Sequence, residues 1–276
     1  MTALIEMPGV LTNTTGLQKI ITTNNGFPDG GLADLFLFGE STGTAAANSV
    51  TARPSGLVEQ LAAGDYAGAY SWLGGGIELQ GTYIVSMPEF DPTVAWSLVY
   101  AGAVTGSLSG ATEAISGMIA FRDRSTGITR GPALYARSFQ AGGVTGYYQH
   151  RMWDGAVTDG AATNLSPSAN LSVANSHRVA ILSYNGSDTV TSTLYDKDGA
   201  VIATGTISAT DAGMTTSNGA VSALVKPAIG ISNTVYDGGI QRVEAFARYS
   251  RVLATEDITR ICARAAAIGA GRGRPW

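Results

Sequence analysis

Three groups of residues in this 276-residue sequence are of types that do chemistry. Glu89 and Asp91 stand two apart in Glu89-Phe90-Asp91-Pro92-Thr93-Val94, and a pair of carboxylates is what cleavage of a glycosidic bond needs. His150 and His177 are the two histidines, each in its own extended run with no serine nucleophile motif beside it. Nothing along the chain therefore marks a Ser/His/Asp site. The third group is GYYQHRMWDG, residues 146–155, which mixes aromatic and hydrogen-bonding side chains. In a strand, Tyr147, Gln149, Arg151 and Trp153 share one face, and Tyr148, His150 and Met152 share the other. Rings that stack on the C–H faces of sugars, next to groups that bond hydroxyls, make Tyr147, Gln149, Arg151 and Trp153 the candidate carbohydrate-binding residues. The competing reading is that the aromatics of one face are core and the rest a solvated sheet surface.

Metal and phosphate chemistry find less support. Asp196-Lys197-Asp198-Gly199 begins as calcium loops do but lacks their later acidic ligands, and a hairpin turn accounts for all four residues. Asp188 and Asp237 are spare acids. Gly74-Gly75-Gly76 is followed by no Lys-Ser/Thr and belongs to no parallel βα unit, so it is not a phosphate loop. A single cysteine, Cys262, excludes an intrachain disulfide or a cysteine metal cluster. No metal and no cofactor are expected. The formal net charge of −4, without any block of like charge, argues against a nucleic-acid partner. No apolar run is long enough to span a bilayer, so no membrane insertion is expected. MTALIEMPGVLTNTTGLQKI has no basic region followed by an apolar core, and no secretory signal is expected.

The elements that must position these residues are mostly strands. A composition of 45% hydrophobic and 14% charged residues suits a folded core, and 36 glycines suit many sharp reversals. LADLFLF, GTYIVSM, AWSLVYAGAV, AISGMIAF, GPALYARSF, GYYQHRMW, HRVAILSY, TVTSTLY, AVIATGTI and QRVEAFARY read as strands separated by turn signals. HRVAILSY is apolar on both faces and belongs inside a layered structure. Asp196-Lys197-Asp198-Gly199 predicts a type I turn with its glycine at positive φ. Such strands without intervening helices predict an all-β fold, an antiparallel β-sandwich or barrel.

Near the end the pattern changes. In QRVEAFARYS, Val243, Ala245, Ala247 and Tyr249 alternate with Arg242, Glu244, Phe246 and Arg248. Thr255 is then placed to cap a helix, with Glu256 and Asp257 in its first turn, where the helix dipole favours negative charge. Ile258, Ile261, Cys262 and Ala265 make one apolar stripe, Glu256 is spaced to pair with Arg260, and Gly269 offers a stop. Cys262 on that stripe reads as a small core residue. The expected plan is an N-terminal arm (1–30), one sandwich domain (31–268) and a tail (269–276). In the tail GAGRGRPW, Arg272, Arg274 and Trp276 are candidate assembly residues, with Trp276 as an aromatic anchor.

Three blocks carry a family resemblance: GTYIVSMPEFDPTVAWSLVYAG, HRVAILSYNGSDTVTSTLYDKDGAVIATG and KPAIGISNTVYDGGIQRVEAFARYSRVLATEDITRI. Together they span about residues 32–265 and resemble the concanavalin A-like lectin/glucanase jelly rolls of the laminin-G-like branch. The resemblance implies a jelly-roll sandwich whose short terminal helix closes one edge. Hydrolases of that fold carry a Glu-x-Asp-x-Glu strand; the segment at Glu89 lacks the third carboxylate, and Pro92 would interrupt a central strand's ladder. It therefore reads as a loop with two solvated acids. His177 stands before Arg178 where that family has a Trp-His pair, and is taken as structural.

The combined expectation is a non-catalytic virion surface protein of a tailed bacteriophage or similar particle, serving as a lectin-like module for host-surface glycan. Its expected partners are other virion proteins, reached through arm and tail, host cell-surface polysaccharide, and further copies of itself in a homo-oligomer. A purely structural head-decoration, fibre or tail assembly protein and a glycan-degrading enzyme are the alternatives. The fold-level step to carbohydrate is an analogy.

Overall fold

The structure, a computed structural model, describes residues 4–7, 10–13, 26–38, 45–47, 54–60, 70–73, 76–80, 83–107, 113–123, 132–141, 144–153, 162–164, 169–170, 178–209, 225–229 and 237–271. The strands are β1 (Leu4–Met7), β2 (Val10–Asn13), β3 (Leu32–Leu37), β4 (Ala45–Ala47), β5 (Pro54–Gln60), β6 (Tyr70–Leu73) and β7 (Gly76–Gln80). They continue as β8 (Tyr83–Ser86), β9 (Trp96–Ser107), β10 (Glu113–Asp123), β11 (Ala133–Ala141), β12 (Val144–Trp153), β13 (Ala162–Asn164) and β14 (Ala169–Asn170). The last are β15 (Arg178–Tyr184), β16 (Thr189–Tyr195), β17 (Val201–Ser208), β18 (Val225–Ile229) and β19 (Asp237–Tyr249), followed by the helix α1 (Thr255–Gly271). All ten runs read as strands are strands. No described helix is long and apolar enough to cross a membrane.

The strands make an antiparallel sandwich. In the first layer β3 and β7 run along one edge of β19 and β9 along the other, with β15, β16 and β17 following outward. In the second, β4, β5, β8, β18, β10, β11 and β12 pair in that order, and β13 and β14 both add to β12. A short parallel pairing of Ala114 and Ile115 with Asp237 and Gly238 joins the layers. Between them Phe36, Leu98, Tyr100, Leu182 and Phe246 of the first layer pack with Ile119, Leu134 and Ile229 of the second. Trp96 is buried here: its indole N–H donates to the Pro92 carbonyl (3.1 Å), and its ring stands edge-on to Phe90.

The opposite face of the first layer is buried too. Val99, Ala101, Val179, Ile181, Ala245, Ala247 and Tyr249 form a second core with Ile261, Cys262, Ala265 and Ile268 of α1. The helix therefore covers a sheet face, where the resemblance implied that it closes an edge. Alanines at 101, 245 and 247 keep that face low enough for a helix to lie on it. Phe27 joins the same core, and burial pushes the Cys262 thiol up to about 12.

Three local expectations change. The Ile258 N–H donates to the Ala254 carbonyl, so Ala254 is the N-cap and Thr255 the first helical residue. Asp257 takes the acidic half of a capping box, accepting from the Ala254 N–H (3.4 Å), and pairs with Arg251 at 2.7 Å. The helix also runs past Gly269 to Gly271. In β19, Val243 lies opposite Gly102 and Ala245 opposite Ala101, which leaves Glu244 as the extra residue of a bulge. The bulge reverses the alternation: Val243 and Phe246 face the inter-sheet core, while Ala245, Ala247 and Tyr249 face the helix. Gly102 makes this possible, because a Cβ there would collide with the Arg242 carbonyl and stand 2.8 Å from the Tyr100 hydroxyl.

Candidate functional site

The candidate binding residues lie on β12, and their setting follows from how β12 pairs. A two-residue connection, Gly142-Gly143, joins β11 to β12 with Ala141 opposite Val144 and Gln140 opposite Thr145. Continued without interruption, that register would set Arg151 opposite Leu134, whose side chain is in the inter-sheet core. It is interrupted: Phe139 pairs with Tyr147, so Gly146 is an extra residue and the register slips by one. Beyond the slip Tyr147 is opposite Phe139, Gln149 opposite Arg137, Arg151 opposite Tyr135 and Trp153 opposite Ala133. Directly opposed residues of an antiparallel pair share a face. Tyr147, Gln149, Arg151 and Trp153 are thus brought together with Tyr135, Arg137 and Phe139 on the sheet face opposite that of Leu134.

The neighbouring strands extend this face. Asn164 of β13 is in register with Arg151, Asn170 of β14 with Tyr147, and Glu113 of β10 with Phe139. The face therefore carries four aromatic residues and two arginines over two adjacent strands, bordered by amides and one carboxylate. Arg137 and Arg151 are diagonal neighbours, a spacing of about 7–8 Å between backbones. Tyr148, His150 and Met152 fall on the face of Leu134. Sequence reading missed Tyr135, Arg137 and Phe139. The signal was present in GPALYARSF, where an aromatic, an arginine and an aromatic alternate as on β12; the register that unites the two strands was not.

The remaining candidates resolve into structural roles or lie elsewhere. Asp91 is held by its own turn: its Oδ1 accepts from the Thr93 N–H (2.9 Å) and hydroxyl (2.7 Å), and these bonds hold its pKa below the ordinary value. Pro92 is tied to the buried Trp96. Asp188 accepts from Asn185 Nδ2 (2.7 Å), the Ser187 hydroxyl and the Thr189 hydroxyl, and its carboxyl is likewise lowered, chiefly by Asn185. The hairpin at 196–199 is a turn as expected, with Asp196 Oδ1 accepting from the Asp198 and Ala200 N–H groups and Gly199 at φ 82°. Among the described residues no group of three or more His, Cys, Asp or Glu could hold a metal ion. His177 and the assembly candidates Arg272, Arg274 and Trp276 lie outside the described residues.

No family model matches the chain, and no curated protein matches it in sequence. Solved structures do match in fold. The Trypanosoma rangeli sialidase aligns with a TM-score of 0.56 at 12% identity, over 88% of this chain and 34% of the sialidase chain. The same sialidase in complex with sialic acid gives the same figures. The botulinum neurotoxin serotype C1 binding domain aligns with a TM-score of 0.50 at 9% identity, over 85% of this chain and 52% of the toxin's. The chain thus spans about a third of the sialidase and half of the toxin domain. The expectation of a non-catalytic protein is overturned as a reading of the fold, because an enzyme is among the proteins that share it. Likeness at such identities concerns architecture alone, and catalysis does not follow from it either. The chain shares an antiparallel β-sandwich architecture with parts of these proteins, and lays one C-terminal helix on the sandwich's outer face.

Proposed function

We propose that this chain is a glycan-recognition module, that its binding surface is the β11–β12 face, and that its ligand is a saccharide bearing a carboxylate or other acidic group. One observation carries the reading. The bulge at Gly146 aligns two alternating aromatic/arginine strands on a single face, with Tyr135, Arg137 and Phe139 opposite Arg151, Gln149 and Tyr147. Aromatic rings supply stacking surface for pyranose C–H groups, and glutamine bonds hydroxyls. The two arginines favour an acidic ligand, since a guanidinium fork matches a carboxylate in shape as well as charge. Two features of the neighbours support this direction: one is described in complex with sialic acid, an acidic sugar, and another is called a binding domain. We place the module on the surface of a tailed-phage-like particle, facing host polysaccharide, with arm and tail contacting other virion proteins. That setting rests on the Gly/Ser/Thr/Ala-rich composition and the single cysteine.

The test is binding of the whole chain to matched neutral and acidic oligosaccharides by calorimetry. Acidic ligands are expected to bind more tightly, and Trp153→Ala to weaken them at least tenfold, about 1.4 kcal/mol, with unchanged melting. Equal affinity for neutral and acidic sugars would remove the acidic class. Undiminished binding by Trp153→Ala would reject this face, and no binding to any saccharide would reject the module.

A further inference from the structure

β17 is the outermost strand of the first layer: it pairs with β16 and, among the described residues, with no other strand. Proteins commonly protect such edges with lysine, other charges or proline, because unpaired N–H and C=O groups invite another strand. Here Val201–Ser208, sequence VIATGTIS, contains none of these, and its one irregularity is the extra residue Ile202 at the start of the strand, which leaves 203–208 regular. Val201 and Ile202 are 59% and 43% exposed, and Thr204, Thr206 and Ser208 are exposed as well. Among the described residues of β17, of its partner β16 and of the turns at either end, charge occurs at Asp188 and at Asp196–Asp198.

The strand is also complementary to itself. If two copies of β17 run antiparallel with Gly205 opposite Gly205, Thr204 of one stands opposite Thr206 of the other. Ala203 then meets Ile207. Thr204 and Thr206 lie on the helix-side face, as their cross-strand partners Thr193 and Thr191 do. Hydroxyl pairing of this type already operates inside the chain, at 3.1 Å between Thr193 and Thr204 and at 3.5 Å between Thr191 and Thr206. The same register keeps both helices on one side of the joined sheet and both inter-sheet cores on the other. Opposed residues share a face in that arrangement, as antiparallel pairing requires. No charge meets a like charge. A two-fold pairing of this kind is also the commonest symmetry among soluble oligomers.

We infer that β17 is a dimerisation edge, where a second copy of this chain adds its own β17 antiparallel and extends the first sheet across a two-fold axis near Gly205. The inference is independent of the proposed glycan ligand, whose residues lie on the other layer. The experiment is light scattering and sedimentation of the whole chain over a range of concentrations. The parent is expected to be dimeric, and Ile202→Lys with Thr206→Lys is expected to halve the mass while leaving the circular dichroism spectrum and melting cooperativity in place. Gly205→Cys supplies the positional check, since opposed residues in a ladder lie about 4.5–5.5 Å apart between Cα atoms, within disulfide reach. It is expected to cross-link two chains under mild oxidation. A parent that is monomeric throughout overturns the inference and leaves the edge to a different strand. So does a dimer that survives both lysines and forms no cross-link at 205.

Discussion

Two arginines of β19 stand directly opposite carboxylates in neighbouring strands, and their different burial predicts different energetic weight. Arg248 is in register with Asp34 of β3, and Arg242 with Glu78 of β7. The ion pairs are similar in length, 2.5 and 2.7 Å. Their surroundings are not. Asp34 and Arg248 side chains are 2% and 15% exposed, and the guanidinium lies over the Phe90 ring, 5.1 Å from its centroid. Glu78 and Arg242 are 15% and 42% exposed. Asp34→Asn preserves shape and removes the charge, which strands a guanidinium held away from water; breaking a buried pair in this way costs about 3–5 kcal/mol. The asparagine carbonyl still accepts a hydrogen bond, which points to the lower end, about 3 kcal/mol. Glu78→Gln breaks a pair whose arginine is bathed in solvent, with an expected cost of about 0.5 kcal/mol. In urea unfolding with a slope of about 3 kcal/mol per molar, the midpoint falls by about 1 M for Asp34→Asn and by about 0.2 M for Glu78→Gln. Equal shifts, or a larger one for Glu78→Gln, would refute the reasoning that burial decides these costs.

Gly102→Ala should destabilise by about 2–3 kcal/mol, because the added Cβ meets the backbone of Arg242 inside the β19 bulge and overpacking of that kind has no flexible neighbour to displace. Gly199→Ala should cost about 1–2 kcal/mol through its left-handed backbone alone, since the new Cβ would be in ordinary contact with Thr259 at 3.4 Å; thermal melts of the two variants give the order. The Arg251 guanidinium holds the Asp257 carboxyl below its usual value, so this pair contributes stability above the ordinary carboxylate range and loses it as pH falls through the lowered folded-state value. Asp257→Asn should accordingly be less stable than the parent near pH 7, with the gap closing as pH falls through and below the ordinary carboxylate range. A gap that is constant with pH would mean that the carboxylate's charge contributes nothing.

Which residues form strands could be read directly, because alternation, turn glycines and helix periodicity are local properties. LADLFLF, HRVAILSY and TVTSTLY carry their pattern within a few residues, and Asp196-Lys197-Asp198-Gly199 closes its turn through its own side chain. The apolar stripe of α1 was equally evident, and so were the two apolar faces of HRVAILSY. Where that stripe would lie was not. It depended on Ala101, Ala245 and Ala247 coming together from strands distant in sequence to make a face shallow enough for a helix.

Register carried the rest. Glu244 in β19 and Gly146 in β12 are each one residue too many for the strand opposite. A side-chain period of two means that one extra residue exchanges core face for outer face along everything beyond it. Alternation alone divides Tyr147, Gln149, Arg151 and Trp153 from Tyr148, His150 and Met152, and that division stands. Pairing with β11 decides which set shares a face with Leu134 and which with Tyr135, Arg137 and Phe139. Local propensity is written in the order of residues along one strand; a bulge is a relation between two, settled only when both are packed against a common core.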